Sequence, residues 1–358
     1  QWVSFSVTFY MIPYVLFQLF SGPIAQIFQT RRTLLFGFAA YAIGGFLSAV
    51  STSLWGLVAA RFIQGFGAAF IAPIVLALVG EMVEPRRLGK AMGIMGIMYT
   101  AGVTMGPLIS GLLETSLGWP SFFFFLMSFS LGIGTLYWAT SRKDVQGPAR
   151  GTVSDALKLI REAFGYRDVR FLSLAAFALF LGYIGLMTFV ADYLKISVSL
   201  SSDRIGLMLS MTGFFGMLAA PVAGYLGDRF GRVPIAYLGG GIMVCATLVM
   251  GAFDYAYGKY VCVFALFGTG SATAWTSLNT LAVEIVPNLR KPVASVYNSF
   301  KFTGYALSPV ALSLLYAPFS LPGVRWGCIF CILLSLFFAS KVAGNRRKMK
   351  NSIDIELA

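Results

Sequence analysis

Eleven apolar runs, each near the length of a membrane-crossing helix, punctuate this 358-residue chain. They cover residues 3–28, 33–50, 54–83, 89–113, 121–139, 171–193, 205–226, 233–253, 260–283, 293–316 and 324–343. A helix rising 1.5 Å per residue needs about 20 apolar residues to cross roughly 30 Å of hydrocarbon. Only structures that pair their backbone groups internally survive there. The pattern predicts an all-α polytopic membrane protein. Composition agrees, with 58% of residues hydrophobic and 11% charged, against about 25% charged in soluble domains. Histidine is absent and the 14 acidic residues are scattered, so zinc hydrolases, histidine triads and paired-carboxylate enzymes lack their working groups. Neither enzymatic activity nor a cofactor or metal is expected. Cys245, Cys262, Cys328 and Cys331 all fall within apolar runs, where a thiol packs as a small hydrophobe. Cys328-x-x-Cys331 has no second pair to complete a metal site.

The odd count of runs has an internal explanation. A shift of 202 residues aligns Gly22 with Gly224, Gly37 with Gly239, Pro85 with Pro287, Gly102 with Gly304 and Pro107 with Pro309. Two prolines and three glycines at corresponding points of corresponding helices point to a duplicated chain. Under this shift the helix near Ile205 maps onto the one near Val3, while run 171–193 maps to positions before residue 1. Two parallel six-helix repeats are therefore expected, with eleven helices of twelve present and the first helix of the first half missing. The expected organisation is an N-terminal half at 1–139, a linker at 140–170, a C-terminal half at 171–343 and a tail at 344–358. No basic stretch followed by a short apolar core and cleavage site opens the chain, so no removable signal peptide is visible. Within the linker, Gly147-Pro148 precedes Ser154-Asp155, a candidate helix N-cap. Leu157, Ile160 and Phe164 then share a face opposite Lys158 and Arg161. That face suits a helix lying on the inner membrane surface, and a regulatory docking site is the alternative.

The basic residues give an orientation. With the 29–32 turn in the cytoplasm, 21 of the 27 Lys and Arg fall on that side and four on the other, leaving Arg61 and Lys301 inside helices. Positive charge collects on cytoplasmic loops, so the linker and C-terminus are expected in the cytoplasm of a multi-pass plasma (inner) membrane protein. The net charge of +13 is then a topology signal. Nucleic acid is not an expected partner, since no basic patch sits on a soluble domain.

Three local patterns carry chemistry. The first is Gly224-Tyr-Leu-Gly-Asp228-Arg229-Phe-Gly231-Arg232, in which Gly231 permits a tight connection. Asp228 could cap a neighbouring helix N-terminus or pair with Arg229 or Arg232. The first-half counterpart, Gly22-Pro-Ile-Ala-Gln26-Ile-Phe-Gln29-Thr-Arg31-Arg32, has Gln26 in the aspartate's place. Glu81 and Glu284 end their helices within reach of these basic turns. A solvated turn that only sets topology is the alternative reading. The second is Arg61-x-x-Gln64-Gly65-x-Gly67-Ala68-Ala69. An arginine inside a membrane helix costs about 2.5–3.5 kcal/mol on insertion scales, so it calls for a partner or a watery cavity. Gln64 lies one turn away, and snorkelling toward Ser53 is the alternative. The third is Gly102-x-x-x-Gly106-Pro107-x-x-Ser110-Gly111, which on physics alone reads as a close-packing helix kinked at Pro107.

These residues resemble the major facilitator superfamily, and in particular its twelve-helix drug:proton antiporter branch. The Gly224 to Arg232 turn is similar to the signature between that superfamily's second and third helices, in its repeated copy. The resemblance implies that Gly22, Arg31, Arg32, Glu81, Gly224, Asp228, Arg229, Gly231, Arg232 and Glu284 latch the inner face shut in the outward-open state. It implies a proton-coupling and cavity role for Arg61. The Gly102 to Gly111 string resembles the antiporter motif, with Ser110 replacing one glycine, and so implies export. Small-molecule substrates, protons as the coupling ion and a monomer in the bilayer are the implied partners and state.

Polar residues inside the bilayer mark candidate solute contacts. Thr269, Thr273, Thr276 and Thr280 share one face of a helix, with Trp275 and Asn279 on an adjacent strip. The alternative is that the threonines bond back to their own helix. Lys301 lies about 15 Å beyond Lys291 by helix rise, deep for snorkelling, and could meet an acidic solute or an acid on another helix. Asp192 falls near an outer helix end. The leading expectation is a secondary transporter exporting small amphipathic molecules by alternating access. An uptake or facilitative carrier, and a receptor or sensor on a transporter-like fold, are the alternatives.

Overall fold

Two backbone breaks with positive φ, at Gln29 (74°) and Gly231 (91°), each separate a long helix from the next. The computed structural model describes residues 2–141, 152–252 and 256–356, and the side chains of 2–8, 103, 107–108, 111–112, 114–115, 153, 202–203 and 343–356 lie outside that description. In chain order the helices are α1 (Trp2–Phe28), α2 (Thr30–Ala49), α3 (Leu54–Ala69), α4 (Ala72–Met82), α5 (Leu88–Leu117) and α6 (Pro120–Thr140). Then follow α7 (Val153–Gly165), α8 (Arg167–Ile196), α9 (Ser202–Phe230), α10 (Arg232–Ala252), α11 (Tyr257–Glu284) and α12 (Arg290–Glu356). The last is two helical arms meeting at Ser320, where φ is 52°. Among the described residues each of the eleven apolar runs lies mainly on helix, with 54–83 divided between α3 and α4 by a turn at Phe70 and Ile71. Nine described stretches are long and apolar enough to cross a membrane, among them Pro287–Val342, which holds two runs. The chain is an all-α polytopic membrane protein.

One compact unit gathers Gln1–Glu81, Met105–Tyr166 and Val286–Ser299. Here α1 packs on α3, and α2 lies against α3 and α6. The small residues of the Arg61 pattern permit this. A Cβ on Gly65 would collide with the Tyr10 carbonyl, and one on Gly67 with the Tyr41 amide. Leu34, Ile74 and Leu76 fill the core. The linker helix α7 packs on α1, and its start corrects the sequence reading. Thr152, not Ser154, is the N-cap, and the Thr152 amide donates to the Asp155 carboxylate at 2.8 Å to complete a capping box. The buried stripe is Ala156, Ile160 and Ala163, while Leu157 is 52% exposed. Gly147-Pro148 lies outside the described residues.

The second unit gathers Met82–Thr104, Arg167–Ile285 and Phe300–Ala358. In it α11 packs between α9 and α10, with α8 against α9 and α11. Gly268 faces the Thr212 backbone, and Gly239 faces Gly270 and Ala274, closely enough that a Cβ on either would collide. Phe264, Phe267, Met208 and Met243 are fully buried. Cys328 and Cys331 are buried and free, packed where Gly182 leaves room on α8.

Candidate functional site

The α9–α10 turn builds a charged cluster in the second unit. Arg232 opens α10 and turns its buried guanidinium back onto α9 and across to the end of α11. Its Nη2 donates to Asp228 Oδ1 at 2.6 Å and to Glu284 Oε1 at 2.9 Å, and Nε donates to Glu284 Oε1 at 3.1 Å. Asp228 also accepts from the Gly89 and Lys90 amides, at 3.0 and 3.1 Å, in the first turn of α5. Asp228 therefore caps a helix and pairs with Arg232 at once. Gly224 and Gly89 allow the approach, since a Cβ on either would collide with the other's carbonyl. Arg229 is outside this cluster, with its guanidinium 5.3 Å from the Phe230 ring.

The first-half turn is wired differently. Gln26 is exposed. Arg31 donates to Ser141 Oγ at 2.9 Å and to the Trp138 carbonyl at 2.7 Å, and Arg32 lines a surface crevice with Ile24, Phe28, Thr33, Phe36 and Phe70. Glu81 forms its ion pair with Lys291 on α12, at 3.1 Å, where sequence reasoning set it against the Arg31-Arg32 turn. The Gly22 amide donates to Ser295 Oγ at 2.7 Å, and Ser21 Oγ lies 3.1 Å from the same oxygen. Lys291 and Ser295 escaped sequence reasoning because nothing local ties them to residues more than 200 positions earlier.

Arg61 donates to Gln64 Oε1 on the same helix. Its guanidinium sits 4.5 Å from the Tyr10 ring centroid and 5.6 Å from that of Phe123. Tyr10 and Phe123 thus join Gln64 around the intramembrane charge, an arrangement in which aromatic faces attract a cation.

In the second unit, Lys301 is 5% exposed and enclosed by rings. Its Nζ is 4.8 Å from the Phe302 centroid, 5.6 Å from Phe180 and 5.7 Å from Tyr99. Trp275 extends the enclosure, stacked on Phe180 at 5.7 Å and edge-on to Tyr99 at 5.6 Å, while Tyr183 stacks on Phe267. The threonine face of α11 is largely occupied with its own helix. Thr269, Thr273 and Thr280 donate to carbonyls one turn back. Thr276 Oγ1 and Asn279 Oδ1, by contrast, are buried and find no hydrogen-bond partner among the described residues. Asp192 is exposed and accepts from the Tyr316 hydroxyl at 2.8 Å.

The Gly102 pattern corrects the close-packing expectation. Among the described residues nothing lies within 4 Å of a Cβ built on Gly102 or Gly106, and α5 continues through position 107. Ser110 is half-buried. The side chain of Pro107 and the surroundings of Gly111 lie outside the described residues.

The profile of the Major Facilitator Superfamily matches residues 2–309 and, separately, 172–344. The chain belongs to that superfamily. It is 27% identical over 325 residues to a multidrug resistance protein B homolog of Mycobacterium tuberculosis (strain CDC 1551 / Oshkosh), covering 75% of this chain. The aligned region spans 59% of that relative's length. An MFS-type transporter of Bacillus subtilis (strain 168), YceJ, is 24% identical over 350 residues, covering 95% of this chain and 87% of the relative. Among solved structures, the human organic anion transporter MFSD10 (TETRAN) superposes with a TM-score of 0.81 at 17% identity, covering 94% of this chain and 82% of that one. That likeness concerns the fold.

Proposed function

We propose that the protein is a secondary active transporter that exports small amphipathic solutes across the plasma (inner) membrane by alternating access of its two halves. The observation that carries this reading is the pair of intramembrane cations, Arg61 and Lys301, each lodged among aromatic rings within a superfamily fold. Charges at such depth are costly and mark solute or ion pathways. The Mycobacterium relative's name supports the outward direction. Proton exchange supplies the driving force, with Arg61 and Gln64 modulating it. Lys301, Trp275, Thr276 and Asn279 contact the solute, and Asp228, Arg232 and Glu284 hold the closed turn. The protein acts as a monomer, with the linker and C-terminus in the cytoplasm. Purified protein in inverted vesicles tests the proposal. A proton gradient, acid inside, should drive accumulation of an amphipathic dye, and collapsing the gradient should stop it. Dye movement indifferent to the gradient removes the coupling, and no movement of any amphipathic solute removes export.

A further inference from the structure

We infer that Lys291 supplies the charge missing from the first-half turn, and that its ion pair with Glu81 locks α12 onto α1 and α4. The two halves of the chain secure their turns differently. In the second half the contact of Gly224 with Gly89 is secured by three features: the Asp228 carboxylate, the Gly89 and Lys90 amides it accepts from, and the Arg232 guanidinium that ties Asp228 to Glu284. The 202-residue shift relates these to positions in the opposite half, where the carboxylate, the guanidinium and one of the two amides are lost. Asp228 becomes Gln26, Arg232 becomes Thr30, and Lys90 becomes Pro292, which has no amide proton to give. An aspartate at position 26 would find at most one of its two donors.

The backbone contact itself persists. A Cβ on Gly22 would collide with the Lys291 carbonyl, as one on Gly224 would with Gly89, and Lys291 stands where the shift places Gly89. Its ammonium, 7% exposed, reaches Glu81, which lies one position from the counterpart of Glu284. The carboxylate has been kept while its cation has moved from the turn to the facing helix. Around it α1 and α12 meet through polar groups, with Ser21 and the Gly22 amide on Ser295 Oγ. Gln18, fully buried, has neither amide atom hydrogen-bonded among the described residues. Such a seam gains hydrogen bonds from water when it opens, so packing alone holds it weakly and a charge pair can decide whether it stays shut.

The inference concerns the seam and stands apart from the direction or coupling of transport. Its readout is thiol labelling, so loss of flux and loss of the lock are separable. In a background with Cys245, Cys262, Cys328 and Cys331 replaced, Ser295→Cys reports seam opening to a maleimide, and Ser130→Cys reports general loosening. Glu81→Gln and Lys291→Met should each raise labelling of Ser295→Cys about tenfold, a typical size for one coupling interaction. The swap Glu81→Lys/Lys291→Glu should return it to within about twofold of the parent. The conservative pair Glu81→Asp/Lys291→Arg should stay protected, which guards against variants that fail to fold. Unchanged labelling in both single variants overturns the inference. So does a swap that labels as fast as the singles, or an equal rise at Ser130→Cys.

Discussion

Gln29 and Gly231, related by the 202-residue repeat, break their helices in the same way, with φ,ψ of 74°, 125° and 91°, 153°. Glycine reaches this region without steric cost, whereas a glutamine there carries about 1–3 kcal/mol of strain. Replacing Gln29 by glycine relieves that strain but returns roughly 0.5–1 kcal/mol through a floppier unfolded chain. Gln29→Gly should therefore stabilise the detergent-solubilised protein by about 1 kcal/mol. Gly231→Gln should destabilise it by a similar or larger amount. Thermal unfolding followed by fluorescence measures both, and a Gln29→Gly protein no more stable than the parent would contradict the strain.

The helices and the duplication were legible in the sequence because both rest on patterns that hydropathy and the spacing of Gly and Pro record directly. Asp228 and Arg232 were legible because cap, pair and turn are neighbours in sequence. The rings around Lys301 were legible only in part: Trp275 stood out beside the threonine face, but Tyr99 and Phe180, which lie against the ammonium, come from two other helices and look like ordinary apolar positions on each. Among the described residues the Gly102 pattern meets no neighbour at Gly102 or Gly106. A GxxxG spacing says that helices could approach, and nothing in it says whether a neighbour is present. The linker cap was misplaced by two residues because Ser154-Asp155 and Thr152-x-x-Asp155 compete locally, and the reciprocal hydrogen bonds favour the second.

Asp228 serves two masters, so its neutralisation should cost more than that of Glu284. Asp228→Asn removes the charge facing Arg232 and weakens the cap on the Gly89 and Lys90 amides. Glu284→Gln leaves Arg232 paired with Asp228. The expected losses of stability are about 2–3 kcal/mol for Asp228→Asn and about 1 kcal/mol for Glu284→Gln. Denaturation of the two variants side by side checks the order, and the reverse order would place the weight of the cluster on α11.

The linker helix should show an acid limit set by its capping box. The Thr152 amide and hydroxyl, with Lys158, hold the Asp155 carboxyl at about 2, below its ordinary 3.8. A depressed folded pKa means that the charged form stabilises the helix. The contribution is complete above the ordinary value and is lost as pH falls through about 2. Protease cleavage within Val153–Gly165 should stay slow down to about pH 4 and accelerate below it. Asp155→Asn should be cleaved faster at neutral pH and show a flatter profile. A parent profile as flat as the variant's would remove the cap from the account.

Lys301 is the sharpest test of the proposed solute cavity. Its ammonium lies over three rings, and a desolvated cation on an aromatic face gains about 2 kcal/mol, less than the charge loses on leaving water. An anionic group arriving beside it would offset that deficit, and a cationic solute would deepen it. Lys301→Met keeps the volume of the side chain and removes only the charge. It should raise KM for a planar aromatic carboxylate by tenfold or more, corresponding to about 1.4 kcal/mol, and leave a neutral solute of the same shape unchanged. It should also improve handling of a cationic one. Lys301→Arg should retain part of the preference, because its charge persists. Uptake into vesicles of three matched solutes, anionic, neutral and cationic, separates the outcomes. An equal change for all three would mean that Lys301 shapes the packing of α12 against α8 and α5 and does not select solutes by charge.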